Sequence, residues 1–289
     1  MLRVEAIQEE QYSEKMVPGR AYKVPLFRAN EAVVPIMLAS STYYAHAMVE
    51  THRRLFAHSK AEYVSRCGGT LMFVTSNSPL SQLMSFGIAE PVSAEDIEFV
   101  REYFGSRQAE LRFRLTPFTH PSLHNALASV PTVFEGTGFQ VFRPLKQDYK
   151  AGPSNIETRP IESPEQWREL FVEAFYDGNS STDNEELALT IFNCPKTVVV
   201  GAWIDGRLAG GGAVNVRVEL ASLNAACTLP EYRGRGVQRA LIKARLGIAA
   251  RHNCQLAMSS VTPASECLRN HLREGFEIAY PTTVFRVIK

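Results

Sequence analysis

Apolar positions along the chain change their period several times, and the changes mark out elements. From Glu31 onward Ile36, Leu38, Tyr43, Tyr44, Ala47, Met48 and Leu55 recur at helical spacing and predict a helix. The 30 residues before them carry few such signals and are expected to drape over the surface. Residues 69–75 read as a strand entered through a glycine pair and left through Asn77-Ser78-Pro79. Ser93 is placed to cap a helix, with Asp96 at its third position and Ile97, Val100 and Phe104 as the apolar stripe. Residues 111–115 alternate as a half-buried strand does, Pro121 opens a helix through Leu123 and Leu127, and 138–145 is a strand.

Residues 147–154 are polar with Gly-Pro inside, the composition of an exposed connection, and divide the chain into units 1–146 and 147–289. Beyond them come a strand at 156–161 and a helix capped by Ser163, whose apolar face is Trp167, Leu170, Phe171, Ala174 and Phe175. Strands at 196–204 and 207–214 are joined by Asp205-Gly206, a type I′ hairpin signal. A strand at 221–229, a helix from Arg235, a strand at 256–260 and a helix at 265–274 complete the order. Helix, Gly-Phe, strand describes both 121–145 and 265–287, so the two units read as a degenerate internal repeat.

The stretch with chemistry in it is 228–238, Thr-Leu-Pro-Glu-Tyr-Arg-Gly-Arg-Gly-Val-Gln, between a strand and a helix start. Two glycines let the backbone approach a ligand closely, and the unpaired N–H groups of the new helix sit at the positive end of its dipole. Arg233, Arg235, Arg239 and Lys243 add cations at the same end. An anion with several phosphates suits such a cradle. A Walker A ending is absent, and a dinucleotide fingerprint would need Gly or Ala at Arg239.

Arg233 and Gly236 fit the first and fourth positions of the Gln/Arg-x-x-Gly-x-Gly/Ala signature, with Gln238 standing at the sixth. Together with the lead-in 228–232 and the later Ser265-x-x-x-x-Asn270-x-x-x-x-Gly275-Phe276, the second unit resembles the GNAT acetyltransferases, and the whole chain their tandem type with a degenerate first unit. The resemblance implies an α/β fold of two GNAT-like units, each a mixed, mostly antiparallel sheet flanked by helices. It implies acetyl-CoA as co-substrate, held by Thr228, Leu229, Arg233, Gly234, Arg235, Gly236, Val237, Gln238 and Asn270. Thr228 and Leu229 would offer backbone groups to the pantetheine arm where two strands splay, and Phe175, Tyr176 and Asp177 would stand near the acceptor. The first unit lacks the turn, so one cofactor per chain is expected.

Acyl transfer to an amine needs a proton acceptor, an oxyanion donor and an acid for the leaving thiolate. Many GNAT proteins carry a carboxylate on the strand before the turn; here Ser222, Asn224, Cys227 and Thr228 stand there. Water relayed by Asn224 and Ser260 is therefore expected to take the amine's proton. Tyr280 and His271 are the candidates for the acid, His271 because it lies four residues before the Gly-Phe pair, where many of the family have a tyrosine. Cys227 reads as a buried thiol, and Ser259, Ser260 and Ser265 lack a triad's partners.

Composition narrows the rest. With 31 basic and 30 acidic residues the net charge is +1, which asks for neither nucleic acid nor an acidic membrane. Five cysteines without C-x-x-C spacing read as reduced thiols, with no metal site. No apolar window has the length of a membrane span and the start does not read as a signal peptide, so a cytoplasmic monomer or homodimer is expected. The acceptor is a small-molecule or peptide amine of unspecified identity. A non-catalytic acyl-CoA sensor and a transferase of longer acyl groups are the alternatives.

Overall fold

A computed structural model describes residues 33–146, 149, 155–217 and 219–288. The expected surface course of the first 30 residues, and nearly all of the connection at 147–154, lie outside the described residues. The chain is mixed α/β, with mostly antiparallel sheets flanked by helices.

The first half opens with α1 (Val33–Leu55), whose last turn carries His52, Arg53 and Arg54 at the negative end of the helix dipole. A small antiparallel sheet follows, β1 (Glu62–Arg66), β2 (Gly69–Phe73) and β3 (Gln82–Met84). Helix α2 (Ala94–Gly105) starts with the expected reciprocal cap between Ser93 and Asp96, and α3 (Pro121–Leu127) starts on its proline. Phe86, Phe104, Phe113 and Leu123 are buried in this half's own core.

The second structure is an eight-stranded sheet that both halves build. From one edge it runs β4 (Arg112–Leu115), β11 (Glu277–Val287), β5 (Thr132–Pro144), β10 (Leu256–Val261), β9 (Leu220–Thr228), β8 (Arg207–Val216), β7 (Thr197–Ile204) and β6 (Glu157–Pro160). Only β9 and β10 are parallel. Strand β5 lies between β10 and β11, and the two strands of the internal repeat pair with each other, Gln140 opposite Tyr280 and Gly138 opposite Thr282. A boundary at residue 146 divides the chain but not this sheet.

Helix α6 (Val237–Arg251) covers one face, burying Val237, Leu241, Ile242 and Leu246 against Val200, Val214 and Leu223. Helices α4 (Pro164–Tyr176) and α5 (Thr182–Asn193) cover the other, where Trp167 donates its indole N–H to Ala188 O at 3.0 Å. Met48 of α1 belongs to that same cluster and His52 lies 3.0 Å from Glu186 of α5, so the first half is packed onto the second. Asp205 and Gly206 have φ of 52° and 74°, the type I′ turn that the sequence predicts. Helix α7 (Glu266–Arg273) lies beside the start of α6. No helix among the described residues is long and apolar enough to cross a membrane.

Candidate active site

Two clefts meet on strand β9. The first, about 650 Å³, is lined by Ala226, Cys227 and Thr228 of β9, by Tyr232, Arg233, Gly234 and Gly236 of the turn, by the start of α6, and by Cys267, Asn270 and Arg273 of α7. Gly234 and Gly236 have φ of 75° and 89°, a region that L side chains rarely adopt. A Cβ on Gly234 would meet nothing within 4 Å, and one on Gly236 only Ile156 Cδ1 at 3.8 Å, so the concavity is open. Gly236 caps α6 without any side-chain bond, which leaves the first amides of the helix to a ligand.

The cations predicted for this cradle are unequally placed. Arg233 lines the cleft and has no ion pair among the described residues. Arg239 also lines it, but is held by Glu274 at 2.8 Å, and Arg235 stands 3.9 Å from Asp205 outside the lining. Lys243 is outside the lining as well, whereas Arg273, which the sequence did not single out, is part of it. Gln238 and Asn270 both line the cleft and are bonded to each other. Leu229 departs from expectation: its N–H goes to Ala209 O and its carbonyl takes Tyr232 N–H, both at 3.0 Å, so its backbone groups are spent within the turn. Thr228 and the helix-start residue Val237 do line the cleft.

The splay of the strands is visible in the register. Strands β9 and β10 pair only through Leu220–Ser222 and Leu256–Met258, with Ser259 Oγ reaching Leu223 O at 3.0 Å; beyond that point the two diverge. On its other side β9 is bulged, Gly211 opposing Cys227 but Ala213 opposing Asn224, so Ala225 and Ala226 have no register partner. Ala225 is left-handed, with φ 48°. Arg245, fully buried on α6, donates to the carbonyls of Ala213 and Asn224 at 3.3 Å each and thereby holds the bulge from behind. Burial pulls its guanidinium down to about 10, still protonated at neutral pH.

The second cleft, about 560 Å³, begins where the first ends: Ala225 lines it, Ala226 lines the first, and the half-exposed Phe175 lines both. Its floor is sheet, with Arg114, Gln140, Ser260, Tyr280 and Thr282, and its walls are α1 and α4, including Met48, Phe171 and Tyr176. Asn224 lines it, with its amide donating to Ser222 O at 3.2 Å; Ser260 donates to Gln140 Oε1 at 2.9 Å. Tyr280 packs edge-on against Phe118, and burial pushes its phenol up to about 12. Asp177, expected nearby, instead caps α4 in the left-handed conformation outside the lining.

His271 lines neither cleft. It is buried rather than exposed, its Nδ1 lies 2.8 Å from Cys267 O, and its ring packs against Phe276. Its side chain is turned inward onto Phe276, with the charge of Arg245 near enough to disfavour protonation. Cys227 is buried as predicted, its thiol pushed up to about 12. No group of three or more His, Cys, Asp or Glu that could hold a metal exists among the described residues.

Residues 164–270 match the acetyltransferase (GNAT) family. In fold the chain is similar to a GCN5-related N-acetyltransferase from Kribbella flavida, with a TM-score of 0.61 at 14% identity over 86% of this chain and 95% of that one. A tandem GNAT protein from the clavulanic acid biosynthesis pathway gives a TM-score of 0.60 at 15% identity over 91% of this chain and 97% of that one. A conserved protein of unknown function from Staphylococcus epidermidis gives 0.59 at 9% identity, over 81% and 96%. No curated protein matches the chain in sequence. The tandem likeness extends across both halves, so the fold is that of two GNAT-like units.

Proposed function

We propose that this chain, whose residues 164–270 form a domain of the GNAT acetyltransferase family, moves an acetyl group from acetyl-CoA directly to an amine. The observation that carries the reading is the meeting of the two clefts at the Ala225–Ala226 bulge. A cofactor whose pyrophosphate rests on Gly234, Gly236 and the α6 amides, with Arg233 beside it, would run its extended arm into the gap between β9 and β10. Its thioester would then arrive at the bulge, facing an amine in the second cleft.

In that arrangement the neutral amine attacks the thioester carbonyl carbon, and the oxygen becomes an oxyanion beside backbone that the ladder does not use, with Arg245 behind it. Collapse of the tetrahedral intermediate breaks the C–S bond, forms the amide and releases CoA thiolate. The proton of the attacking nitrogen passes to water held by polar groups such as Asn224 and Ser260, since no carboxylate lines the second cleft among the described residues. Tyr280 keeps its proton and donates a hydrogen bond toward the departing sulfur.

Calorimetric titration with acetyl-CoA, followed by an assay of free CoA released to a panel of amines, tests this reading. Saturation at one equivalent and amine-dependent release are expected. Gly236→Asp, which sets a negative charge at the helix start, should weaken binding at least about 100-fold. Unchanged affinity in the folded variant would overturn the assignment of the cradle, and tight binding without release would make the protein a sensor.

A further inference from the structure

We propose, resting on the acyl-transfer reading above, that the acceptor is an amine that also carries a carboxylate, and that Arg114 on β4 is the group that recognises it. Arg114 is the charged side chain among the described residues that line the second cleft, and no Asp or Glu lines it. Its Nε is buried without a hydrogen-bond partner, and its guanidinium makes no ion pair among the described residues. Its neighbours differ. Arg112, two residues earlier, takes Glu135 and Glu110, and Arg286, opposite Arg112 on β11, takes the other oxygen of Glu135 at 2.6 Å. The local carboxylates are thus paired along the sheet edge, and Glu135 reaches Arg114 only as a more distant charge.

A buried N–H with no protein group to accept it is costly, and a cation in that position is more so. Burial, with Arg112 nearby, pulls the Arg114 pKa down against the opposing pull of Glu135. A planar carboxylate accepts two parallel bonds from a guanidinium, whereas a second ammonium would be repelled. The cleft therefore disfavours polycationic acceptors such as polyamines. Arg114 faces Val284 in register and Tyr280 lies four residues further along the same strand, so both project from one face of the sheet. The carboxylate end of an acceptor and its amine end would lie along this floor, with Met48, Phe171 and Phe175 around an apolar body.

The test compares 3-phenylpropionate with 3-phenylpropanamide, by calorimetry on the full chain with CoA present. We expect the acid to bind about 10-fold or more tightly than the amide, and Arg114→Met to bring the two to within about twofold at unchanged acetyl-CoA affinity. Equal affinities in the wild type, no measurable binding of the acid, or a preference that survives in the variant would overturn the proposal. A second arm compares acetyl-CoA with succinyl-CoA as donor. A preference for succinyl-CoA that vanishes in Arg114→Met would assign the carboxylate to the acyl group and also overturn it. Any of these results leaves acetyl-CoA binding and release to a plain amine intact, whereas loss of those refutes the transferase reading and leaves the acid-to-amide ratio measurable.

Discussion

Asn270 of α7 donates its side-chain amide to Oε1 of Gln238, 2.7 Å away in the first turn of α6. The two residues close over the cradle from opposite walls of the first cleft, and Gln238 fills the place where the GNAT signature has Gly or Ala. Gln238→Ala releases the Asn270 amide and opens the helix start. Acetyl-CoA affinity should then rise about three- to tenfold, the worth of one hydrogen bond no longer broken on binding. Calorimetry decides, and a weaker complex would mean that Gln238 itself touches the cofactor.

Cys227 lines the cofactor cleft and so invites a covalent role, but its thiol is pushed up to about 12 by burial, leaving almost no thiolate at neutral pH. Cys227→Ala is expected to keep kcat within about threefold, the change being confined to packing beside Gly211. Intact-protein mass spectrometry after acetyl-CoA alone should show no acetylated enzyme. A trapped acyl-enzyme would require a two-step mechanism.

Tyr280→Phe keeps the packing on Phe118 and removes only the hydroxyl. We expect kcat to fall about 10²-fold with acetyl-CoA affinity unchanged, because the group acts on charge that develops during reaction. Since its pKa lies near 12, no alkaline loss of activity below pH 10 should trace to it. Full activity in the phenylalanine variant would leave thiolate departure to water.

Burial, with Arg245 nearby, pushes His271 down from 6.5 to about 4, against the opposing hydrogen bond to Cys267. In the unfolded chain this histidine takes up its proton first, so its contribution to stability is complete above pH 6.5 and is lost as pH falls toward 4. The loss amounts to roughly 3 kcal/mol at full titration. Urea unfolding between pH 7.5 and 4.5 should show a steeper decline in wild type than in His271→Gln. Parallel declines would refute the buried neutral state.

The cap at Ser93, the Asp205-Gly206 hairpin and the turn at Gly234 and Gly236 were legible because each is decided within a few residues. Asn224 and Tyr280 were also placed by their strands, whose ends could be read from the turns around them. What the sequence hid depends on partners far away. The strand read at 138–145 closes the first unit in the sequence, yet it starts at Thr132 and its neighbours in the sheet are strands beginning at Leu256 and Glu277. His271 reads as a candidate acid because nothing local reports Phe276 folding back over its ring. Arg114 reads as the wet half of an alternating strand, since Glu135's commitment to Arg112 and Arg286 appears only once β4, β5 and β11 lie side by side.

The seat of β5 between β10 and β11 bears on how such a gene can change. A nick within 147–154 would leave one fragment with a long strand and nothing to pair it, and another whose sheet has a slot of that width. Apart, each exposes strand edges that invite aggregation; mixed, they should reassemble as a complementing pair. Recombination that exchanges one half for a homologue's must preserve the fit of residues 132–144 on both flanks at once. The shared strand thus ties the two halves to change together.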